Sequence, residues 1–241
     1  MKNKMFVVCH MLASLDGKID GDFFSTLETM PALHAYGKLR EFYHCPAILY
    51  GTTTMLGGYA DGSAPPLNPV ENPPAFTDWI NPKGKAMGNF IVSVDLKGQL
   101  GFSSHQIAKK GRPSAHVIEV LTRQVSPAYL AYLQELGISY LFAGKDRLDC
   151  SLLLEKLQES FGIDRLMVAG GGVVNWSFLR EGLIDELSLV LAPVADGGTE
   201  SVSIFEQADF LPSHPPVAFA LKEVKPLGEN VLWLRYTAGQ S

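Results

Sequence analysis

Residues 165–198, RLMVAGGGVVNWSFLREGLIDELSLVLAPVADGG, decide how this chain reads. An apolar run (Leu166, Met167, Val168, Ala169) breaks into Gly170, Gly171 and Gly172. A helical pattern then closes at Gly182, and a second apolar run occupies 187–194. A strand–glycine–helix–strand order presents bare backbone N–H groups at a helix N-terminus, where the helix dipole favours a phosphate or diphosphate. Glycine also lacks the Cβ that holds a ligand away from the main chain. A plainer reading is equally consistent: a tight turn with close helix–strand packing. The segment is not the fuller G-x-G-x-x-G fingerprint with its acidic partner.

Outward from this segment, strands are predicted at 5–13, 47–50, 89–94, 115–121, 139–143, 166–168, 186–192, 217–224 and 231–236. Helices are predicted at 31–43, in a short turn after Thr52, and at 127–136, 152–160 and 173–181. Ser126-Pro127 supplies an N-cap with proline at the first helical position, and Gly137 supplies the stop. Alternating strands and helices predict an α/β fold with a mainly parallel sheet covered on both faces. The last two strands are separated by a turn near Lys225-Pro226-Leu227-Gly228, so a C-terminal hairpin makes the sheet mixed. One domain spanning 1–241 is expected. The proline-rich stretch 57–88 is its one long irregular segment, either a functional lid or rim or simple decoration.

The 241-residue chain is long enough for a sizeable core, and 46% hydrophobic with 19% charged residues is ordinary for a globular protein. Its formal charge of −5 argues against nucleic acid or an anionic membrane as the main partner. Cys9, Cys45 and Cys150 share no short spacing, so reduced thiols in a cytoplasmic protein are expected, without disulfides or zinc. The N-terminal apolar run, interrupted by His10 and followed by Asp16-Gly17-Lys18, reads as a buried strand rather than a signal peptide.

Two further strand ends carry small polar residues. The first strand runs into Ala13-Ser14-Leu15-Asp16-Gly17, which places a carboxylate at the sheet edge where α/β proteins bind ligands. An Asp-Gly turn satisfying its own backbone donors is the simpler account of that segment. The second is Gly51-Thr52-Thr53-Thr54, whose hydroxyls suit phosphate or ribose oxygens, or plain helix caps. With the glycine run, three such ends favour a cleft along one sheet edge. The six histidines are scattered, and no zinc-deaminase, nucleophile-elbow or P-loop motif is present. Metal-free chemistry borrowed from an organic cofactor fits what remains.

Taken together, SLDGKI (14–19), AILYGTTT (47–54) and GGGVVNWSFLREGLIDELSLVLAPVADGG (170–198) resemble the riboflavin-biosynthesis pyrimidine reductase family. This is the reductase half of bifunctional RibD, whose three-layer fold is similar to dihydrofolate reductase. The resemblance runs from Met5 to about Tyr236. It implies hydride transfer from NADPH to ribose C1′ of a phosphoribosylamino-pyrimidine in its open imine form, as in 5-amino-6-(5-phosphoribosylamino)uracil reductase, in a homodimeric cytoplasmic enzyme. It further implies that Gly170, Gly171, Gly172, Val173 and Val174 wrap the cofactor diphosphate. Thr54, with Gly51, Thr52 and Thr53, contacts the cofactor, the main chain of Leu12 and Ala13 meets the nicotinamide, and Asp95 and Leu96 lie near the adenosine end. Asp16 belongs to the reaction cleft as a catalytic or positioning carboxylate beside Ser14, and Arg40 matches a substrate-contacting arginine suited to a ribose phosphate.

The chain departs from the pattern at Ala169, where the family has glutamate, and at Gly58, where it has an acid. It also lacks a tryptophan within 20–30 and the Asp-Asp-Pro run. Two alternatives therefore accompany the leading reading. One is an NADPH reductase of the same fold acting on a pterin-like ring, an imine or an aldehyde; the other is a catalytically silent nucleotide-binding protein.

Overall fold

A computed structural model describes residues 4–239. In chain order its elements begin with β1 (Phe6–Ala13), α1 (Met30–Phe42), β2 (Ala47–Gly51), α2 (Thr52–Leu56), β3 (Gly62–Ser63), α3 (Pro82–Lys85) and β4 (Phe90–Val94). β5 (Leu100–Gly101), β6 (Gln106–Ile107), β7 (Ala115–Leu121), α4 (Pro127–Leu136), β8 (Ser139–Phe142) and α5 (Cys150–Phe161) follow. The chain ends with β9 (Arg165–Val168), α6 (Gly172–Arg180), β10 (Glu186–Leu191), β11 (Phe219–Pro226) and β12 (Leu232–Ala238). Two compact units result, one built from 4–5 and 46–164 and the other from 6–45 together with 165–239.

In the second unit the strand order is β11-β12-β10-β1-β9. β1 is parallel to both β9 and β10, with Cys9 opposite Val168 and Ala13 opposite Leu191. Seven of its eight residues are buried, as both covered faces of a parallel sheet require. The expected hairpin is present: β12 runs antiparallel to both β10 and β11. Its turn places Glu229 and Asn230 at positive φ (49° and 61°). Buried Glu186, at the start of β10, accepts hydrogen bonds from Tyr43 (2.5 Å), Arg235 (2.7 Å) and Lys222 (2.5 Å).

In the first unit β2, β4, β7 and β8 run parallel in that order. The helix after β7 starts as its sequence predicts, with Ser126 Oγ accepting from Tyr129 N (3.2 Å), and stops at Gly137 with φ 75°. The long 57–88 segment is tied down near its end. Trp79 and Tyr140 exchange backbone hydrogen bonds of 3.0 and 2.9 Å, and Asp78 accepts from Phe142 N (2.8 Å). It thus pairs with β8, whose open edge would otherwise expose unpaired backbone. Periodicity could not show this, because an irregular segment becomes an edge cover only through its partner. Among the described residues no helix is long and apolar enough to cross a membrane.

The first unit also buries a carboxylate without a partner. Neither oxygen of Glu119 (β7) has a hydrogen-bond partner, and Ser93 is its register neighbour on β4. Burial, reinforced by the nearby Asp95 charge, pushes its carboxyl well above the usual range. A raised carboxyl binds its proton more tightly folded than unfolded, so it costs stability as pH rises above its unfolded value of 4.5. Glu119→Gln, uncharged throughout, is therefore expected to melt about 2–4 °C above the wild-type protein near pH 8, for about 1 kcal/mol. That gain should vanish by about pH 4. A pH-independent difference in melting midpoint would contradict the assignment.

Candidate cofactor and substrate site

The register of β1 sets the geometry of the second unit's site. β9 ends with Val168 opposite Cys9, so Ala169 and the glycines leave the sheet alongside the last residues of β1, Leu12 and Ala13. Gly170 and Gly171 take φ of 155° and 75°, conformations that side chains resist. Gly171 is the N-cap of α6 and no side chain caps that helix. A Cβ at Gly171 would find nothing nearer than Val174 Cγ2 at 3.9 Å, so the main chain is open to a ligand here. Gly172 differs: a Cβ there would come within 2.4 Å of the Ser203 carbonyl oxygen. Glu206 N donates to Gly172 O (3.1 Å) and Asn175 Nδ2 to Ile204 O (2.8 Å), holding the 203–206 segment against the helix start. The glycine run thus combines open backbone at Gly171 with close packing at Gly172. Val173 and Val174 lie half-buried in the first turn.

Beyond β1, Ser14 Oγ donates to Asp16 (2.5 Å) and accepts from Lys18 N (2.9 Å). Asp16 also accepts from the backbone N–H groups of Asp196 (3.0 Å) and Gly197 (2.8 Å). Asp196 in turn accepts from Phe23 N (3.1 Å) and Ser201 Oγ (2.9 Å). Two carboxylates therefore bind the loop after β1 to the loop after β10. The Ser14 hydroxyl and then these backbone donors hold the Asp16 carboxyl well below the usual range. An ionised, fully engaged carboxylate suits positioning and has no proton to donate at neutral pH. Sequence reasoning missed Asp196, although Asp196-Gly197 carries the same turn signal as Asp16-Gly17.

Arg40 is grouped elsewhere. Its guanidinium lies 4.5 Å from the Tyr36 ring centroid, and Tyr36 stacks on buried His10 (4.5 Å). His10 is bonded to Ser188 Oγ (2.9 Å) and Tyr36 O (3.0 Å), and burial, aided by the Arg40 charge, lowers its pKa to about 4. His10 precedes Ser14 by four strand positions, or about 13 Å. The structure thus groups Arg40 with Tyr36 of α1 and His10 of β1.

The other predicted residues belong to the first unit. Gly51 pairs with Val94, and Thr52 Oγ1 donates to Val94 O (2.9 Å) at the adjoining ends of β2 and β4. Thr53 is exposed and Thr54 half-buried on α2. Asp95 departs from expectation: its buried carboxylate accepts from Gln99 N (2.5 Å) and Leu100 N (2.8 Å), closing the turn after β4. Its main chain is engaged as well, Asp95 N donating to Val120 O (3.2 Å) and Gly98 N to Asp95 O (3.0 Å), while half-buried Leu96 accepts at its carbonyl from Thr122 N (3.0 Å) and Thr122 Oγ1 (2.7 Å).

A family model, the RibD C-terminal domain, matches residues 5–233 and so runs through both units. The chain belongs to this family. A Methanothermobacter thermautotrophicus protein named 2,5-diamino-6-ribosylamino-4(3H)-pyrimidinone 5′-phosphate reductase is 36% identical over 234 residues, 96% of this chain and 97% of its own. A protein of the same name from Archaeoglobus fulgidus is 37% identical over 208 residues, 86% of this chain and 88% of its own. Among solved structures, the riboflavin biosynthesis reductase of Saccharomyces cerevisiae aligns with a TM-score of 0.64 at 19% identity, covering 99% of this chain and 93% of its own. Acinetobacter baumannii RibD gives a TM-score of 0.65 at 20% identity over 98% of this chain and 58% of its own. The fold is the dihydrofolate-reductase-like one of these reductases, as the resemblance implies.

Gly172→Ala tests the packing of the helix start. Overfilling against the Ser203 backbone costs about 1–3 kcal/mol. The melting midpoint should then fall by about 2–12 °C, at about 2–4 °C for each kcal/mol. An unchanged midpoint would show that the 203–206 segment yields freely.

Proposed function

We propose that this chain is an NADPH-dependent reductase of riboflavin biosynthesis that reduces the ribose C1′ of a phosphoribosylamino-pyrimidine. The observation that carries the reading is the uncapped, glycine-initiated start of α6 beside the end of β1. Positive-φ glycines, an open Gly171 and unclaimed helix-start donors are what a dinucleotide diphosphate needs. Gly170, Gly171, Gly172, Val173 and Val174 would hold that diphosphate, and the main chain of Leu12 and Ala13 would meet the nicotinamide. Gly51, Thr52, Thr53 and Thr54 would contribute hydroxyl and backbone contacts, and Leu96, held by the turn that Asp95 closes, would lie near the adenosine end.

When bound, the dinucleotide supplies the hydride; the protein's contribution is orientation. Asp16 holds the loops after β1 and β10 in one arrangement and, with Lys18 N, engages the hydroxyl of the buried Ser14 at the strand end. The proton for the imine nitrogen then comes from a group other than Asp16. Arg40 is assigned to the substrate phosphate on the resemblance. A homodimer in the cytoplasm completes this reading.

The names of the curated relatives narrow the substrate. They place a 2,5-diaminopyrimidinone on the ribosylamine, whereas the resemblance implies an aminouracil; the rings differ in an amine against an oxo group. We favour the diaminopyrimidinone, because these relatives cover nearly the whole chain. Ala169, where the family has a substrate-contacting glutamate, keeps a different substrate as the second reading.

Calorimetry with NADPH should show binding that Gly171→Asp abolishes, since the variant sets a negative side chain at the diphosphate. Given both pyrimidines, the enzyme should oxidise NADPH faster with the diamino compound. Equal NADPH binding by wild type and Gly171→Asp would remove the site. Binding without turnover on either pyrimidine would leave the different-substrate or silent reading.

A further inference from the structure

The first unit buries a histidine whose two ring nitrogens are both engaged, His116 on β7. Its Nδ1 meets the His105 carbonyl oxygen at 3.0 Å. A carbonyl can only accept, so Nδ1 carries the proton and Nε2 is the bare nitrogen of the neutral ring. Nε2 then accepts from Ser139 Oγ on β8 (2.7 Å), and Ser139 Oγ accepts from Asn81 N (3.0 Å). Asn81 anchors the end of the irregular 57–88 segment. Its Nδ2 donates to Gly137 O (2.7 Å), and its Oδ1 caps α3 by accepting from Lys83 N (3.0 Å). Gly84 of α3 packs on the imidazole so closely that a Cβ would collide with the ring. The chain His116–Ser139–Asn81 thus fastens α3 to β8.

That fastening requires an unprotonated Nε2. A proton there turns the acceptor into a donor, and Ser139 Oγ must then accept twice while its own hydrogen loses its acceptor. The positive ring would also lie in the core, with no carboxylate bonded to it among the described residues. The groups around it do not offset the charge. His105, beside β6, sets its own Nδ1 3.3 Å from His116 Nδ1. Lys83 and Lys85 of α3 are exposed cations, and Glu135, near the end of α4, is exposed as well. On β4 the register neighbour is Phe90. Glu119 lies three residues further along β7, on the opposite face of the strand. Burial first and the His105 charge second lower the His116 pKa to about 4.

We infer that His116 is a proton-sensitive latch: protonating it unfastens Asn81 and α3 from β8 and uncovers the edge of that strand while the sheet stays folded. Trp79, two residues before Asn81, makes the backbone pair with Tyr140 that covers this edge. Just ahead of it, Phe76, Thr77 and Asp78 wall a cavity of about 520 Å³ together with Phe142 and Lys156. Release of the latch therefore loosens that wall too, with Asp78 still tied to Lys156 (2.7 Å). An opened segment returns His116 to its ordinary value of 6.5. Closure is thus fully favoured above pH 6.5 and is lost as pH falls from there towards 4.

Hydrogen exchange read by mass spectrometry between about pH 7.5 and pH 4.5, corrected for the intrinsic pH dependence of amide exchange, tests the latch. In the wild-type protein the opening equilibrium of peptides covering 79–88 should rise by close to tenfold per pH unit below 6.5, as uptake of one proton requires. Peptides from β4 and the centre of β7 should stay protected. His116→Gln keeps an acceptor for Ser139 and a donor for His105 but takes up no proton, so its 79–88 peptides should lose that slope. Ser139→Ala keeps the histidine and cuts its link to Asn81, so the segment should exchange fast at every pH, again without the slope. Either variant suffices if the other does not fold. Exchange in 79–88 that ignores pH in the wild-type protein would overturn the latch, as would a slope that survives the substitutions or an opening that always accompanies loss of protection in β4 and β7.

Discussion

The parallel register of β1 against β9 and β10 is the constraint on which the second unit's chemistry depends. β1 extends beyond β9, so the glycine run leaves the sheet beside Leu12 and Ala13 and not above them. The same strand stays in register with β10 to Ala13–Leu191, which brings the loop after β1 alongside the loop after β10. A slip of one residue would exchange the faces of β1 and carry His10 away from Ser188 and Tyr36. That buried histidine, kept neutral by its surroundings, thus helps define the register that places the ligand-facing ends.

At those ends, charge organises loops. Asp16 is exposed and Asp196 half-buried, and their partners are backbone N–H groups and serine hydroxyls. Backbone donors strengthen when the acceptor is ionised, which explains both the depressed carboxyl of Asp16 and the order of the two loops. Asp95 does the same in the first unit from a buried position, joining the turn after β4 to Tyr129 of α4. The acids beside the expected sites are therefore scaffolding, consistent with a reaction in which a bound cofactor supplies the chemistry and the protein supplies position.

Much of this was legible in the sequence because the signals were local. Ser126-Pro127 and Gly137 mark the ends of α4, and the glycine run marks the turn into α6. Alternation gave the C-terminal hairpin. Other features had no local signal. The 57–88 stretch carries no period, and its role as a cover for β8 depends on Trp79 and Asp78 meeting residues more than sixty positions away. The resemblance puts Asp95 near the adenosine end of a cofactor, yet whether a side chain there turns in or out depends on the turn it closes.

By itself the sequence determined the order and type of the elements, the strand ends with small polar residues, and the family. Each of these is written in residues close along the chain: hydrophobic period, caps and glycines. Only the tertiary structure decided which glycine is open and which is packed, and that Asp16 serves a turn. Those outcomes depend on distances between residues far apart in the chain, which are set by strand register and by burial.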